Sequence, residues 1–256
     1  LHIDKNQYEE IIKSEIKLRK RKRIYLEDSR YFVEEVRKKV IDKYGFDKVY
    51  KQGFNIKTPI NLNLQNLAAK ALREGLEKYD KRRGWRGPLL NKKINNKWSD
   101  DLEKYKIEKS IGWELAIVKK IDKFEVVIET KEKIIGIIGI DDVNWTRKNI
   151  NQIFKVGDII YVKKKSEGNY SLKQIPLANG GIIVMDPYSG RVLAMSGGFS
   201  FKKSEFNRTT QALRQPGSAF KPFIYALALE NNFTPSSLIL DAPIVLNQGE
   251  DLKMWK

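Results

Sequence analysis

The sequence contains no cysteine and only one histidine, His2. The absence of cysteine excludes disulfides, a thiol nucleophile and thiolate metal sites. A single histidine rules out most histidine-based metal clusters and argues against a Ser-His-Asp triad. We therefore predict neither a metal nor a cofactor, and the scarcity of histidine favours a lysine as the proton acceptor of any nucleophilic serine.

Long apolar runs are also missing. The sequence has no stretch of 18 apolar residues and no signal peptide. The pair Gly197-Gly198 lacks the surrounding glycine pattern of a phosphate-binding loop. The chain begins on Leu1 rather than on methionine, and it stops at Lys256 within a sequence that reads as unfinished. We expect it to be an internal part of a longer protein.

What the chain has in abundance is positive charge. Its 256 residues include 49 Lys and Arg against 32 Asp and Glu, a formal net charge of +17. With 41% hydrophobic residues, the chain can bury a sizeable core. The basic surplus favours an anionic partner, which could be nucleic acid, a membrane surface or an acidic polymer. A general bias toward lysine, isoleucine and asparagine explains the charge equally well, so both interpretations stay open.

The first half of the chain is dominated by helical patterns. Residues 1–50 are charged and carry apolar residues at helical spacing. The basic run at 19–23 is interpreted as a solvated helix or linker. The alternative is that it binds acidic lipid or nucleic acid. Residues 53–60 alternate in the manner of a strand, and apolar residues from Leu64 to Tyr79 share one helical face. The polar, turn-rich residues 91–110 predict a loop.

After Gly112, apolar residues recur with the period of strands. Five strands are expected at 113–121, 124–130, 134–140, 158–163 and 170–175. This spacing predicts a small β-barrel of the OB type. A basic OB barrel can bind single-stranded nucleic acid by stacking bases on aromatic rings. The aromatic residues here are scattered along the strands and are explained as well by a core, so we expect no nucleic acid. They are Trp113, Phe124, Tyr161 and Tyr170.

Residues 181–198 predict a β-hairpin. Two apolar runs flank an Asp-Pro-x-x-Gly turn that begins at Asp186, in which proline fixes one φ and glycine supplies a positive one. Asp186 is therefore interpreted as a turn residue, and Asp241 as a loop residue, rather than as catalytic carboxylates. Arg208 and Arg214 could bind a peptide carboxylate or pair with surface acids, so neither is assigned to a site.

The pattern Ser-x-x-Lys occurs three times, beginning at Ser14, Ser200 and Ser218. Ser14 lies in a charged helical segment, and Ser200 precedes a polar turn. Only Ser218 follows a Pro-Gly turn and opens an apolar run, Ala219 to Leu229, which predicts a buried helix. Since Lys221 follows Ser218 at i+3, the two side chains share one helical face.

This pairing is the one that a serine acyl-transferase needs. A serine hydroxyl becomes a nucleophile when a base takes its proton, and a lysine can do so when burial or a second cation lowers its pKa. The start of a helix also favours developing negative charge. We predict Ser218 as the nucleophile and Lys221 as its proton acceptor. In the alternative interpretation, Ser218 caps a helix and Lys221 is an exposed side chain.

Longer motifs surround Ser218. Along residues 180–243 they read MDPYSGRVLAMSGG, FNRTTQA, RQPGSAFKP and DAP. This order closely resembles the opening of the transpeptidase domain in class A penicillin-binding proteins, the bifunctional peptidoglycan synthases. Residues 31–36 and 79–88 resemble the segment that follows the glycosyltransferase domain in the same family. Residues 58–61 read Thr-Pro-Ile-Asn where the family commonly carries a Thr-Thr-Leu-Asp type of stretch.

The resemblance implies an α+β fold with four parts. These are a helical linker at 1–50, the first strand and helix of the transpeptidase region with a loop at 51–111, an OB-like barrel insert at 112–176, and the start of a truncated transpeptidase domain at 177–256. It further implies that a membrane anchor and a glycosyltransferase domain precede Leu1. The region would then lie on the periplasmic side of a bacterial inner membrane.

By the same resemblance, Ser218 attacks a D-Ala-D-Ala stem peptide and Lys221 accepts its proton. The implied partners are peptidoglycan stem peptides, the lipid-linked precursor, β-lactam antibiotics and other cell-wall synthesis proteins. The family's S-x-N and K-[ST]-G motifs do not follow Ser218 in this sequence, so we expect the 256-residue chain alone to be inactive. Two alternatives stay open: a D,D-carboxypeptidase or β-lactam sensor of the same superfamily, and a basic OB-type nucleic-acid-binding module.

Overall fold

The protein is described by a computed structural model that covers residues 4–13, 26–242, 244–248 and 251–255, the last two ranges by backbone alone. The Ser14 pattern and the basic run at 19–23 lie outside these residues. The chain divides into two units, Leu1–Ala212 and Leu213–Lys256. Among the residues so described, no helix is both long and apolar enough to cross a bilayer.

Four α-helices lie among the described residues in the early part of the first unit. They are α1 (Lys5–Lys13), α2 (Arg30–Tyr44), α3 (Phe46–Lys51) and α4 (Leu62–Lys81). Asn61 caps the start of helix α4: its side-chain oxygen accepts hydrogen bonds from the N–H groups of Asn63 and Leu64, which satisfies two donors of the first turn. The predicted amphipathic helix is thus confirmed. It buries Ala68 and Ala69 along one face.

Residues 53–60 form neither a helix nor a strand, so the strand predicted there is wrong. Pro59 has no N–H with which to join a ladder. Just after the segment, the backbone forms one hydrogen bond with a strand residue: the Asn61 N–H donates to the Leu193 carbonyl at 2.8 Å.

The five strands predicted after Gly112 are all present and close into a small barrel. A two-residue strand, β1 (Leu90–Asn91), precedes β2 (Glu114–Ile121), β3 (Glu125–Thr130), β4 (Ile135–Gly139), β5 (Asp158–Ser166) and β6 (Asn169–Lys173). Antiparallel pairing joins β5, β2, β3 and β4 in that order, and β6 pairs with both β4 and β5, which completes the ring. Alternating apolar side chains of these strands fill the interior, and the short helix α5 (Ile150–Ile153) packs against the same core.

The segment 91–110, predicted as a loop, contributes to a second core. It contains the 3₁₀ turn Glu103–Tyr105 and buries Trp98, Leu102 and Ile107. These side chains pack with strand residues on the outside of the barrel and with Phe199. Because the apolar residues of the segment follow neither helical nor strand periodicity, the sequence pattern did not reveal that they are buried.

The predicted hairpin is confirmed as β7 (Ile182–Met185) and β8 (Val192–Ser196). Its turn closes through a hydrogen bond from the Gly190 N–H to the Asp186 carbonyl at 2.9 Å, and Gly190 has a φ of +67°. Helix α4 holds β8 through Gln65, a buried side chain whose amide donates to the Met195 carbonyl and accepts from the Met195 N–H, each at 2.9 Å. Gln65 thereby pairs with β8 as a neighbouring strand would.

The second unit contains a 3₁₀ turn at Gly217–Phe220, helix α6 (Lys221–Glu230) and the antiparallel strands β9 (Ile244–Gln248) and β10 (Asp251–Trp255). The helix predicted at Ala219–Leu229 is therefore present, but the prediction that it is buried is wrong. Phe223 is 69% exposed and Tyr225 is 63% exposed. A helix that is apolar on all sides needs cover on all sides, and the described side chains of this unit do not provide it.

Candidate functional site

Ser218 and Lys221 lie one turn apart at the start of α6. Ser218 is in the 3₁₀ turn, Lys221 is the first residue of the helix, and the Lys221 N–H donates to the Ser218 carbonyl. The turn depends on its sequence: Pro216 has a φ of −67°, and Gly217 has a φ of +56°, which is left-handed backbone that favours glycine. Pro222 fits the first turn of the helix because no intrahelical partner is needed for its nitrogen.

The structure thus brings the two predicted site residues together on one helical turn, and it leaves both exposed to solvent. Within the described part of the chain, neither side chain has a hydrogen-bond or ion-pair partner. The pair can therefore be approached by a substrate.

The second Ser-x-x-Lys pattern has a different environment. Ser200 is buried, and its hydroxyl donates to Oε2 of Glu108 at 2.6 Å. Lys203 donates from Nζ to the Lys104 carbonyl at 2.5 Å, and burial lowers its pKa. Glu108 is itself buried and also accepts a hydrogen bond from the Lys202 N–H at 2.7 Å. Ser200 is therefore a structural residue that satisfies a buried carboxylate.

The FNRTTQA motif holds the chain after β8. The buried side-chain oxygen of Asn207 accepts hydrogen bonds from the Thr209 hydroxyl at 2.6 Å and the Thr209 N–H at 3.2 Å. Arg208 donates from Nη1 to the carbonyls of Gly197 and Phe206 at 3.2 and 3.1 Å. The guanidinium of Arg208 thus binds backbone oxygens and the Ser204 hydroxyl rather than a surface acid. The sequence indicated this motif only through its resemblance to a family.

The candidate carboxylate Asp186 is a turn residue, as interpreted from the sequence. Its side chain accepts hydrogen bonds from the Ser189 hydroxyl and the Tyr188 N–H, and these bonds hold the pKa of Asp186 below its ordinary value. Asp241 is exposed. In the described ranges, no group of three or more acidic or histidine side chains is placed to hold a metal ion.

Three of the four aromatic residues considered for base stacking are buried. Trp113 is 7% exposed, Tyr161 is 2% exposed and Tyr170 is 1% exposed, whereas Phe124 is 63% exposed. The Tyr161 hydroxyl donates to the Tyr105 carbonyl, and burial raises its pKa. Because a stacking platform must present ring faces to solvent, these three residues belong to the core of the fold.

Comparison with known proteins gives two matches to family models. Residues 85–178 match the penicillin-binding protein OB-like domain, and residues 180–256 match the penicillin-binding protein transpeptidase domain. The motifs around Ser218 lie within the second match.

Similar proteins extend this likeness over the whole chain. Penicillin-binding protein 1A of Rickettsia conorii is 37% identical over 260 residues, which cover 100% of this chain and 33% of that protein. The Pseudomonas aeruginosa protein of the same name is 35% identical over 241 residues, covering 88% of this chain and 29% of that protein. The crystal structure of penicillin-binding protein 1A from Haemophilus influenzae matches with a TM-score of 0.73 and 33% identity, covering 99% of this chain and 37% of that one. The chain spans about a third of the length of the curated relatives it matches.

Proposed function

Because this chain belongs to the penicillin-binding proteins, we propose that Ser218 is the nucleophile of a transpeptidase that cross-links peptidoglycan. The observation that carries the proposal is the placement of Ser218 and Lys221 on one turn at the exposed start of α6, inside the stretch that matches the transpeptidase domain. Ser200, which has the same sequence pattern, is buried and bound to Glu108, so it does not compete for the role.

The reaction is serine acyl transfer. The Ser218 oxygen attacks the carbonyl carbon between the two D-alanines of a stem peptide, while the neutral Lys221 amine takes the hydroxyl proton. The peptide C–N bond breaks, and the leaving D-alanine nitrogen receives a proton from the Lys221 ammonium. An amine of a neighbouring stem peptide then attacks the ester, which forms the cross-link and returns a proton to Ser218. A β-lactam mimics the acyl donor and traps the serine as a stable ester.

The negative charge that develops on the attacked oxygen needs hydrogen-bond donors. The Ser218 N–H lies at the start of the helix, where the dipole favours negative charge, and it would supply one donor of an oxyanion hole. The S-x-N motif and the K-[ST]-G motif do not follow Ser218 in this sequence. We infer that the 256-residue chain alone does not carry out transpeptidation.

We infer further that the parent protein also polymerises glycan strands from a lipid-linked precursor and is anchored on the periplasmic side of a bacterial inner membrane. This inference is supported by the likeness to the much longer relatives, of which this chain covers about a third.

The proposal is tested by labelling the full-length protein with fluorescent penicillin. We expect labelling of the wild type, none for Ser218→Ala, and acylation about 100-fold slower or more for Lys221→Ala, the usual effect of removing a general base. Ser236→Ala, which changes another exposed serine of the second unit, serves as the matched control and should label normally. Equal labelling of wild type and Ser218→Ala would overturn the assignment. Products of the reaction with a stem pentapeptide separate cross-linking from simple hydrolysis.

A further inference from the structure

A cleft of about 430 Å³ lies beside the barrel, where residues 85–91 meet α5 and the start of β5. This volume is within the range of small-ligand sites. The residues that matter to its chemistry are Trp85, Arg86, Asn91, Lys148, Gln152 and Lys155. The cleft lies wholly in the first unit and does not include Ser218.

Hydrogen-bond donors outnumber free acceptors in this cleft. Lys148 and Lys155 are exposed, and neither ammonium group has a partner among the described residues. The Gln152 carbonyl oxygen accepts from the Asn149 N–H at 3.0 Å, which leaves its amide N–H groups free.

The one carboxylate in the lining, Asp158, is already satisfied. It is buried and accepts from the Asn91 side-chain amide at 2.8 Å and from the Lys155 N–H at 2.7 Å. Arg86 is paired with the Asp80 carboxylate and Asp158 already accepts two hydrogen bonds, so the cations without an anionic partner among the described residues are Lys148 and Lys155.

Arg86 is held in a fixed orientation at this site. Its Nη1 donates to Oδ1 of the buried Asp80 at 2.8 Å, and its Nη2 donates to the Ile175 carbonyl at 2.6 Å. These bonds use two of the five N–H groups of a guanidinium. A guanidinium that is already oriented loses little freedom on binding, and its planar fork suits a carboxylate. The cleft therefore combines one oriented guanidinium, already paired with Asp80, with two exposed lysines.

We propose that this cleft binds the carboxylates of an acidic peptide. The identity of the ligand rests on the proposed function: it is the carboxylate-bearing stem peptide of peptidoglycan, held at a site that does not include Ser218. The Trp85 ring and Pro88 give the cleft an apolar wall beside its cations. A free inorganic anion would use the cations but leave that wall and most of the volume empty, so the geometry favours a peptide over phosphate.

The test is calorimetric titration of the 256-residue chain with a stem tripeptide that lacks the D-Ala-D-Ala end. Three further titrations accompany it: the same tripeptide with its carboxylates amidated, inorganic phosphate, and the tripeptide against Lys148→Gln/Lys155→Gln. The matched control is Lys163→Gln/Lys164→Gln, which removes the same charge from exposed lysines of β5. We expect binding that weakens at least tenfold in the cleft variant and is unchanged in the control variant.

Several results would overturn the proposal: no binding of the tripeptide, equal binding of the amidated form, phosphate binding as tight as that of the tripeptide, or equal weakening in both variants. Circular dichroism spectra of the variants establish that they remain folded. Because the tripeptide cannot acylate a serine, its binding does not depend on Ser218, and Ser218→Ala should bind it normally. Failure of penicillin labelling would thus count against the proposed function alone, and failure of tripeptide binding against the cleft alone.

Discussion

Replacing Asp80 with alanine should loosen the barrel from helix α4. The Asp80 side chain is 4% exposed, and its Oδ1 accepts hydrogen bonds from Arg86 Nη1 at 2.8 Å and from the Leu177 N–H at 3.1 Å. Its Oδ2 accepts from the Gln174 amide at 2.8 Å. Arg86 lies on the chain that leads into the barrel, and Gln174 and Leu177 lie on the chain that leads out. One carboxylate therefore ties both connections to the end of α4.

The magnitude follows from what the carboxylate satisfies. Breaking a buried ion pair costs about 3–5 kcal/mol, but the Arg86 side chain is 31% exposed, so water replaces part of the lost interaction. Gln174 keeps its second bond, to the Gly84 carbonyl, and Arg86 keeps its bond to the Ile175 carbonyl. Arg86 Nη1 and the Leu177 N–H both lose their acceptor, and because Leu177 is 77% exposed, water replaces part of its bond, which leaves a cost of about 1 kcal/mol there. We expect the free energy of unfolding to fall by about 2–4 kcal/mol.

Urea unfolding followed by tryptophan fluorescence measures this loss. Trp85 and Trp145 lie close to the Asp80 contacts and pack against each other at 6.0 Å between ring centroids. Hydrogen exchange adds a local readout and should become faster at residues 84–88 and 174–178. The matched control is Glu74→Ala on the same helix, where a 64% exposed carboxylate meets Lys70 at 3.9 Å. An exposed pair of this kind contributes about 0.5 kcal/mol or less.

A loss below about 1 kcal/mol for Asp80→Ala, or equal losses for the two variants, would refute the reasoning. So would exchange that speeds up throughout the barrel while the two connections keep their protection. In that case the second core, rather than the carboxylate, would hold the barrel to α4.

Two further substitutions test other contacts. Gly197→Ala should lower the free energy of unfolding by about 1–3 kcal/mol, because a Cβ there would meet Asn207 at 2.1 Å from Oδ1 and 2.7 Å from Cα; thermal unfolding equal to wild type would contradict this. Tyr31→Phe should cost about 1 kcal/mol near neutral pH, where the hydroxyl donates to the Ser204 carbonyl at 2.7 Å. Burial raises the pKa of Tyr31 to about 12, whereas the unfolded chain ionises from about pH 10. The wild type therefore loses stability as pH rises through this window, and its advantage over Tyr31→Phe should shrink in urea unfolding. Tyr188→Phe, at a 98% exposed position, should show no such change, and an advantage of Tyr31 that stays constant would contradict the assignment.

Periodic segments are the part of the fold that could be predicted from the sequence. The strands of the barrel, helix α4 and the hairpin at 182–196 were predicted because a buried face repeats every second residue in a strand and about every fourth in a helix. Their observed bounds differ from the expected ones by only a few residues. Burial without periodicity escaped prediction, as at Trp98 and Leu102.

The candidate site could likewise be predicted only as far as it depends on residues that are close in sequence. Ser218 and Lys221 are three positions apart, so helical geometry alone places them together, and the Pro-Gly turn before them fixes where the helix begins. Ser200 and Lys203 have the same spacing. What separates the two serines is Glu108, which is 92 positions away in sequence and occupies the Ser200 hydroxyl.

The sequence by itself determined the local events: which segments become helices or strands, where turns fall, and which serine stands beside which lysine. These depend on interactions between residues a few positions apart, which composition and spacing encode directly. The tertiary structure decided which polar side chains have hydrogen-bond or ion-pair partners and which remain free to bind a ligand. Asp80, Glu108 and Asp158 are paired by donors from distant segments, whereas Lys148 and Lys155 are left open beside Arg86. Burial and hydrogen bonding depend on distances between remote parts of the chain, and only packing sets those distances.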